Sequence, residues 1–226
     1  RAGGGVKNRI PKLRAGEEAD AGKLGEAMGG DPMVPQVVIK ELSRCSPGFA
    51  MGWGVSVGLA AGAIVSKGTP DQIERWGLPL VQCKLIGSWC LTEPGAGSVA
   101  FGSMESVASH AGGGYRLNGS KTFITNGPGA DVFLVYARLD DGIETFIVEK
   151  GMAGFSVGKP FKKMGMRDSP TSEIFFDDVK LGPEHLLGGR ERGRAGRGDT
   201  KESLGNERSG IPAMAWGIIE RCYDAS

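Results

Sequence analysis

The stretch Trp89 to Ser98, WCLTEPGAGS, gathers more potential chemistry than any comparable run of the chain. Trp89, Cys90, Leu91 and Thr92 read as the end of a half-buried strand, after which Pro94, Gly95 and Gly97 stop regular pairing and let backbone approach a ligand closely. Main-chain N–H groups exposed in this way, with the hydroxyls of Thr92 and Ser98, suit the oxygens and ring nitrogens of a nucleotide-like cofactor better than a metal. A plain Pro-Gly-Ala-Gly turn is the alternative reading. No zinc site is expected: Cys45, Cys83, Cys90 and Cys222 form no CxxC pair, and His110 and His185 are the only histidines. Gly114, Gly119 and Lys121 nearly match a phosphate-binding loop, but that motif must open a helix and here β-branched residues continue a strand. Asn118, Gly119 and Ser120 spell a glycosylation acceptor without a secretory context, so they read as a turn.

These residues need elements to hold them. The chain has 226 residues, enough for one large or two small domains with a real core. A net charge of +1 argues against a general electrostatic role with nucleic acid. Isolated cysteines without a leader fit a reducing compartment. Residues 1 to about 30 have little hydrophobic period and read as poorly ordered or weakly helical. With Arg1 in place of an initiator methionine, the chain reads as a fragment. A helical pattern begins at Val34 to Leu42. The apolar run Phe49 to Val65 follows, with Gly54, Gly58 and Gly62 spaced for close packing. It is long enough to raise a membrane span, but glycine and alanine dominate it and no aromatic belt or basic cluster flanks it, so a buried helix is expected. Thr69 reads as an N-cap with Pro70 at the first helical position, opening a helix towards Leu80.

Beyond Leu85 short β-rich segments take over, at about 85–92, 104–109, 114–126, 131–138, 144–149 and 171–180. Asn118-Gly119 is expected to form a tight hairpin turn inside YRLNGSKTFIT. Residues 188–202, GGRERGRAGRGDTKE, read as an exposed linker; an RNA-contacting arginine-glycine segment is the alternative, although no aromatic residues interleave. From Ser203 a helical pattern, Leu204, Ile211, Met214, Ile218 and Ile219, runs almost to the last residue and stops mid-helix.

Three motifs lie collinear: WCLTEPGAGS, KTFITNG at 121–127 and KKMGMRDSPTSEIFFDDV at 162–179. In that order and spacing they resemble the acyl-CoA dehydrogenase family, from about residue 33 to residue 222. The resemblance implies an α+β multidomain fold: an N-terminal α-helical segment (1–84), a middle antiparallel β-barrel-like domain (85–187), a linker (188–202) and the first helix of a C-terminal helical bundle (203–226). It implies FAD as cofactor, an acyl-CoA substrate oxidised to the trans-2-enoyl-CoA, and an electron-transfer flavoprotein as electron acceptor. A homo-oligomer, tetramer or dimer, is implied for the full-length protein, with no nucleic acid, no metal and no stable membrane span. The compartment is the bacterial cytoplasm or the mitochondrial matrix.

Residue by residue, the family places the Trp89–Ser98 segment against the isoalloxazine ring. Trp89, Cys90, Leu91 and Thr92 belong to the cofactor wall, with Leu91 and Thr92 on its pyrimidine part, and Ser98 lies near both cofactor and acyl-CoA. Phe123, Ile124 and Thr125 cover the other part of the ring, Phe123 standing where tryptophan is common and Thr125 donating to the flavin edge. Without the resemblance, Phe123 and Ile124 read as strand core. The chemistry implied is proton removal from the α carbon by a carboxylate while the β hydrogen leaves as hydride. The base needs a raised pKa in a dry pocket and the thioester oxygen needs hydrogen bonds.

Most members carry the base far along the C-terminal bundle, beyond the end of this chain. A minority, resembling isovaleryl- and long-chain acyl-CoA dehydrogenases, place it just before an arginine early in the first helix after the middle domain. Glu207 matches that position as catalytic base and Arg208 as a contact for substrate or for the helix end; a solvated first-turn glutamate is the other reading. Glu93 is expected to hold its turn rather than react. Val99 and Gly205 depart from the aspartates usual there. Two alternatives therefore stand beside the dehydrogenase: a same-fold flavin oxidase or monooxygenase, and a non-catalytic remnant that binds CoA esters or a protein partner.

Overall fold

The computed structural model describes residues 4–15, 31, 33–97, 102–140, 142–191 and 196–226, the stretch 196–209 by its backbone alone. Helix α1 (Gly4–Arg14) lays Val6 and Ile10 against Val65 and Ile73, while Arg14 reaches Asp71 at 2.9 Å and Glu74 at 2.8 Å. Thus part of the weakly patterned opening docks through two apolar side chains one turn apart. Helix α2 (Met33–Cys45) is followed by Ser46, whose hydroxyl accepts from Phe49 N at 3.1 Å and caps α3 (Pro47–Lys67).

Helix α3 is the apolar run of the sequence and contains π-helical turns at Gly54–Ala61. It is the one helix among the described residues long and apolar enough to cross a membrane. Its Ala61, Ala63 and Ile64 are instead buried against Val132, Leu134 and Ile147 of the sheet, so it is a core helix, as its glycine and alanine content suggested. Thr69 then caps α4 (residues 70–81) through a reciprocal capping box with Gln72. Gln72 is also the joint to the far end of the β region: its Nε2 donates to Glu184 O (2.8 Å) and Leu186 O (2.7 Å), and its Oε1 accepts from Gly188 N (2.9 Å).

The strands are β1 (Gly87–Cys90), β2 (Val107–Ala111), β3 (Gly114–Thr125), β4 (Val132–Leu139), β5 (Gly142–Glu149), β6 (Phe155–Val157) and β7 (Thr171–Leu181). They form one curled sheet in the order β1-β4-β2-β3-β7-β6, with β5 paired to β4. Its concave core holds Leu117, Phe133, Val135, Phe146, Ile174 and Val179. The fold is the expected helices followed by a barrel-like β region. The sheet is mixed, however: β1 and β2 both run parallel to β4, pairings that only a long excursion of the chain can make. The three-residue β6 has too few residues to register as a pattern.

The expected Asn118-Gly119 hairpin turn is corrected. Gly112 and Gly113, at φ +58° and +83°, make the reversal between β2 and β3, and Asn118-Gly119 sits inside β3 at a register shift. Glycine is needed there because Ser106 crosses so closely that a Cβ on Gly119 would lie 2.7 Å from its Cα. The Asn118 side chain meanwhile accepts from Asp178 N at 2.8 Å.

Helix α5 (Gly196–Asp224) begins seven residues before Ser203, so part of the stretch expected as linker is helical. Its described side chains pack on α2. Lys40 and Arg44 reach Glu220 at 2.8 and 2.9 Å, Arg44 reaches Asp224 at 2.6 Å, and Lys40 lies 5.1 Å above the Trp216 ring.

Candidate functional site

The first two motifs meet where β1 and β3 end. Thr122 N donates to Thr92 O at 2.9 Å, and the Ser88 hydroxyl donates to Thr125 O at 2.9 Å. Beyond β1 the chain folds back through paired Glu93 and Ala96 main-chain bonds of 3.2 and 3.1 Å, the tight turn that Pro94 and Gly95 favour. The Glu93 carboxylate points inward and accepts from Glu105 N (2.6 Å), Ser106 N (2.9 Å) and Lys121 Nζ (2.8 Å). Lys121 Nζ also donates to Leu91 O at 3.2 Å. Burial pushes the Glu93 carboxyl upward, but the Glu105 N–H, the Lys121 ammonium and Ser106 outweigh it and hold it below the ordinary range. Burial lowers the Lys121 ammonium from its usual value, with Glu93 opposing.

A bulge in β3 between Lys121 and Ile124 decides what faces out. Phe123 takes a left-handed backbone, φ +57°, so that Lys121 and Thr122 turn inward while the Phe123 ring stands 68% exposed. A large apolar ring held in solvent on a strained backbone departs from the plain strand-core arrangement of its neighbours.

The third motif closes on the second. Ile124 and Thr125 pair with Ser172 and Thr171, Asn126 N donates to Pro170 O at 2.8 Å, and the Phe161 ring lies 5.5 Å from that of Phe123. Lys163 holds this loop from within by donating to Ser169 O and to Thr171 Oγ1. Asn126 ties the cluster to the helices: its amide nitrogen donates to Gly52 O at 2.8 Å and to Gly87 O at 3.0 Å. The Ser46 hydroxyl adds a bond to Asp168 at 2.9 Å.

The structure thus brings Trp89, Cys90, Leu91, Thr92, Phe123, Ile124 and Thr125 together, although their side chains diverge. Phe123 is exposed, and Trp89, Thr92 and Thr125 are half-buried, Trp89 donating from Nε1 to Tyr136 Oη at 2.9 Å. Leu91 is buried with Met104 and Tyr136, and Ile124 and Cys90 lie in the sheet core, where burial drives the Cys90 thiol up. Only the main chain of Cys90 and Ile124 can face a ligand. Ser98 and Val99 lie outside the described residues. Glu207 and Arg208 sit on α5, eleven residues or more beyond Gly196, so Glu207 is not in a first turn and the helix dipole does not explain it.

Lys121, Asn126 and Phe161 were not singled out as site residues by sequence. A lysine between strand residues ordinarily reads as exposed, and only the Asn126-Gly127 step after β3 offered a turn signal. An exposed aromatic face, two half-buried threonine hydroxyls and adjoining turn backbone fit a flat heteroaromatic ring with polar edges. The group of three metal-type ligands among the described residues, His110, Asp140 and Glu191, is exposed and shares no residue with these motifs.

Comparison with known proteins leads to the same place. Residues 88–179 match the acyl-CoA dehydrogenase middle domain and residues 22–84 the acyl-CoA dehydrogenase N-terminal domain, and the chain belongs to the acyl-CoA dehydrogenase family. A short-chain specific acyl-CoA dehydrogenase of Megasphaera elsdenii is 40% identical over 85% of this chain and 51% of its own length. The solved butyryl-CoA dehydrogenase of the same organism superposes with a TM-score of 0.81 at 37% identity, over 96% of this chain and 57% of that one. A glutaryl-CoA dehydrogenase of Mycobacterium smegmatis in complex with FADH2 gives 0.75 at 34% identity, over 80% and 46%. The chain spans about half the length of the curated relatives it matches.

Proposed function

We propose that this chain carries one wall of an FAD site that oxidises an acyl-CoA at its α and β carbons to the trans-2-enoyl-CoA, with an electron-transfer flavoprotein as acceptor. The observation that carries the reading is the bond from Thr122 N to Thr92 O, which joins the turn after β1 to the bulge that exposes Phe123. FAD, when bound, supplies the hydride acceptor. The chain's own part is to hold the ring between the Phe123 face and the Leu91–Thr92 backbone, offer the Thr92 and Thr125 hydroxyls to its polar edge, and keep water from the reacting carbons. Ser98 contacts substrate and cofactor. Glu207 takes the α proton, and Arg208 holds the substrate beside it. The full-length protein works as a homo-oligomer in a reducing compartment, cytoplasm or mitochondrial matrix, where its four free thiols are stable.

The test is titration of the purified chain with FAD, followed by anaerobic butyryl-CoA. Expected are a bound-flavin spectrum, bleaching by the acyl-CoA, and slow reoxidation in air. Proton NMR in D2O is expected to reveal α-proton exchange that Glu207→Gln abolishes. A chain that binds acyl-CoA and never FAD refutes the proposal in favour of a CoA-ester binder, and rapid reoxidation in air favours an oxidase.

A further inference from the structure

We propose that Lys121 and Glu93 form a positioning pair, a buried ionic staple between β3 and the turn after β1 that sets the spacing of the two cofactor loops. The inference rests on the flavin-site reading above for what the loops hold, but the staple itself is a property of the chain alone. Both side chains are almost wholly buried, 0% and 2% exposed, and their charged atoms stand 2.8 Å apart. A pair of this kind adds little to stability, because the loss of hydration roughly cancels the attraction, and apolar residues of similar volume would fill the space as well. What an apolar pair could not do is fix position. From one point inside the fold, the pair engages Leu91 O on one side of the turn and Glu105 N and Ser106 N on the chain that returns from it.

Two residues beyond Lys121 stands Phe123 in its left-handed conformation, which persists only where neighbours over-determine it. Lys121 is the side chain that fastens this bulge to the opposite loop, next to the single main-chain bond between Thr122 and Thr92. Breaking the pair is therefore expected to free that bond locally and leave the rest of the sheet intact.

The experiment is native-state amide exchange by NMR on the whole chain without cofactor, comparing Lys121→Met and Glu93→Gln with the unmodified protein. Glu93→Gln keeps an acceptor for Glu105 N and Ser106 N while removing the charge, and it decides the matter alone if Lys121→Met does not fold. The expected result is a rise of about tenfold or more in Thr122 amide exchange relative to the β4 amides of Leu134 and Val135. FAD titration of the same samples is expected to weaken by a similar factor. A uniform rise across all amides, or no change at Thr122, overturns the proposal, since the pair is then ordinary core. A local rise with unaltered FAD affinity also overturns it. If even the unmodified chain takes up no FAD while the local rise is present, the flavin reading fails and the staple stands.

Discussion

Replacing Asn126 tests how the helices are joined to the sheet. Its amide nitrogen serves two carbonyls from different parts of the fold, Gly52 O in α3 and Gly87 O in β1, and its backbone is left-handed at φ +64°. Asn126→Ala leaves both acceptors without this donor in a site only 7% exposed, at about 1–2 kcal/mol each, and adds about 1 kcal/mol for an alanine forced into that conformation. The sum is about 3–5 kcal/mol. At about 2–4 °C per kcal/mol for a chain of this size, calorimetry is expected to record a fall in melting temperature of roughly 10 °C. Asn126→Asp keeps the shape and turns the donor into a carboxylate facing two carbonyls. Its folded-state pKa is raised by that contact, so the variant is least stable above the folded value and recovers as pH falls through it. An alanine variant melting within about 2 °C of the parent, or an aspartate variant as stable as alanine at neutral pH, would refute the idea that this side chain latches the two layers.

Four further outcomes follow from the same geometry. Phe123→Gly relieves a left-handed backbone and removes an exposed ring, so unfolding by urea is expected to change by less than about 1 kcal/mol while FAD affinity falls at least tenfold. Ellman titration of the folded chain is expected to find the exposed thiols of Cys45, Cys83 and Cys222, with Cys90 reacting only after denaturation. Gly217→Ala would drive a Cβ into the Lys40 carbonyl and is expected to cost about 1–3 kcal/mol, read as a lower denaturant midpoint of α5 circular dichroism. Glu220 is held below its ordinary pKa first by Lys40 and then by Arg44. Its contribution to the α2–α5 contact is complete above the usual glutamate value of about 4.3 and is lost as pH falls through the lower folded one, so α5 amides are expected to exchange faster only in that acid window.

Sequence was most informative where the physics is local. The Thr69 cap needs only its immediate neighbours and formed as read, with Pro70 at the first helical position. The apolar run became a core helix because its small residues suit close packing. Sequence failed where a partner from elsewhere decides. Asn118-Gly119 carries a strong turn signal, yet Ser106 and Asp178, far along the chain, fix it inside a strand. The burial of Lys121 is not legible locally because the group that neutralises it, Glu93, stands 28 residues earlier. For the proposed cofactor wall, the resemblance named two loops that lie side by side in the fold, but the bulge at Phe123 sorted outward from inward: Phe123 went to the surface while Ile124, its neighbour, went to the core.

The parallel seam between β1 and β4 has a consequence for biogenesis. Gly87 must wait for Val132, 45 residues later, to leave the ribosome before its strand finds a mate, whereas β2 with β3 and β4 with β5 can zip up as neighbours. The strand that leads directly into the proposed flavin loop thus stays unpaired until β4 has been made. A flavin captured at its tip would favour the paired strand by mass action. Scarcity of riboflavin would then lower the yield of properly folded chains as well as their occupancy.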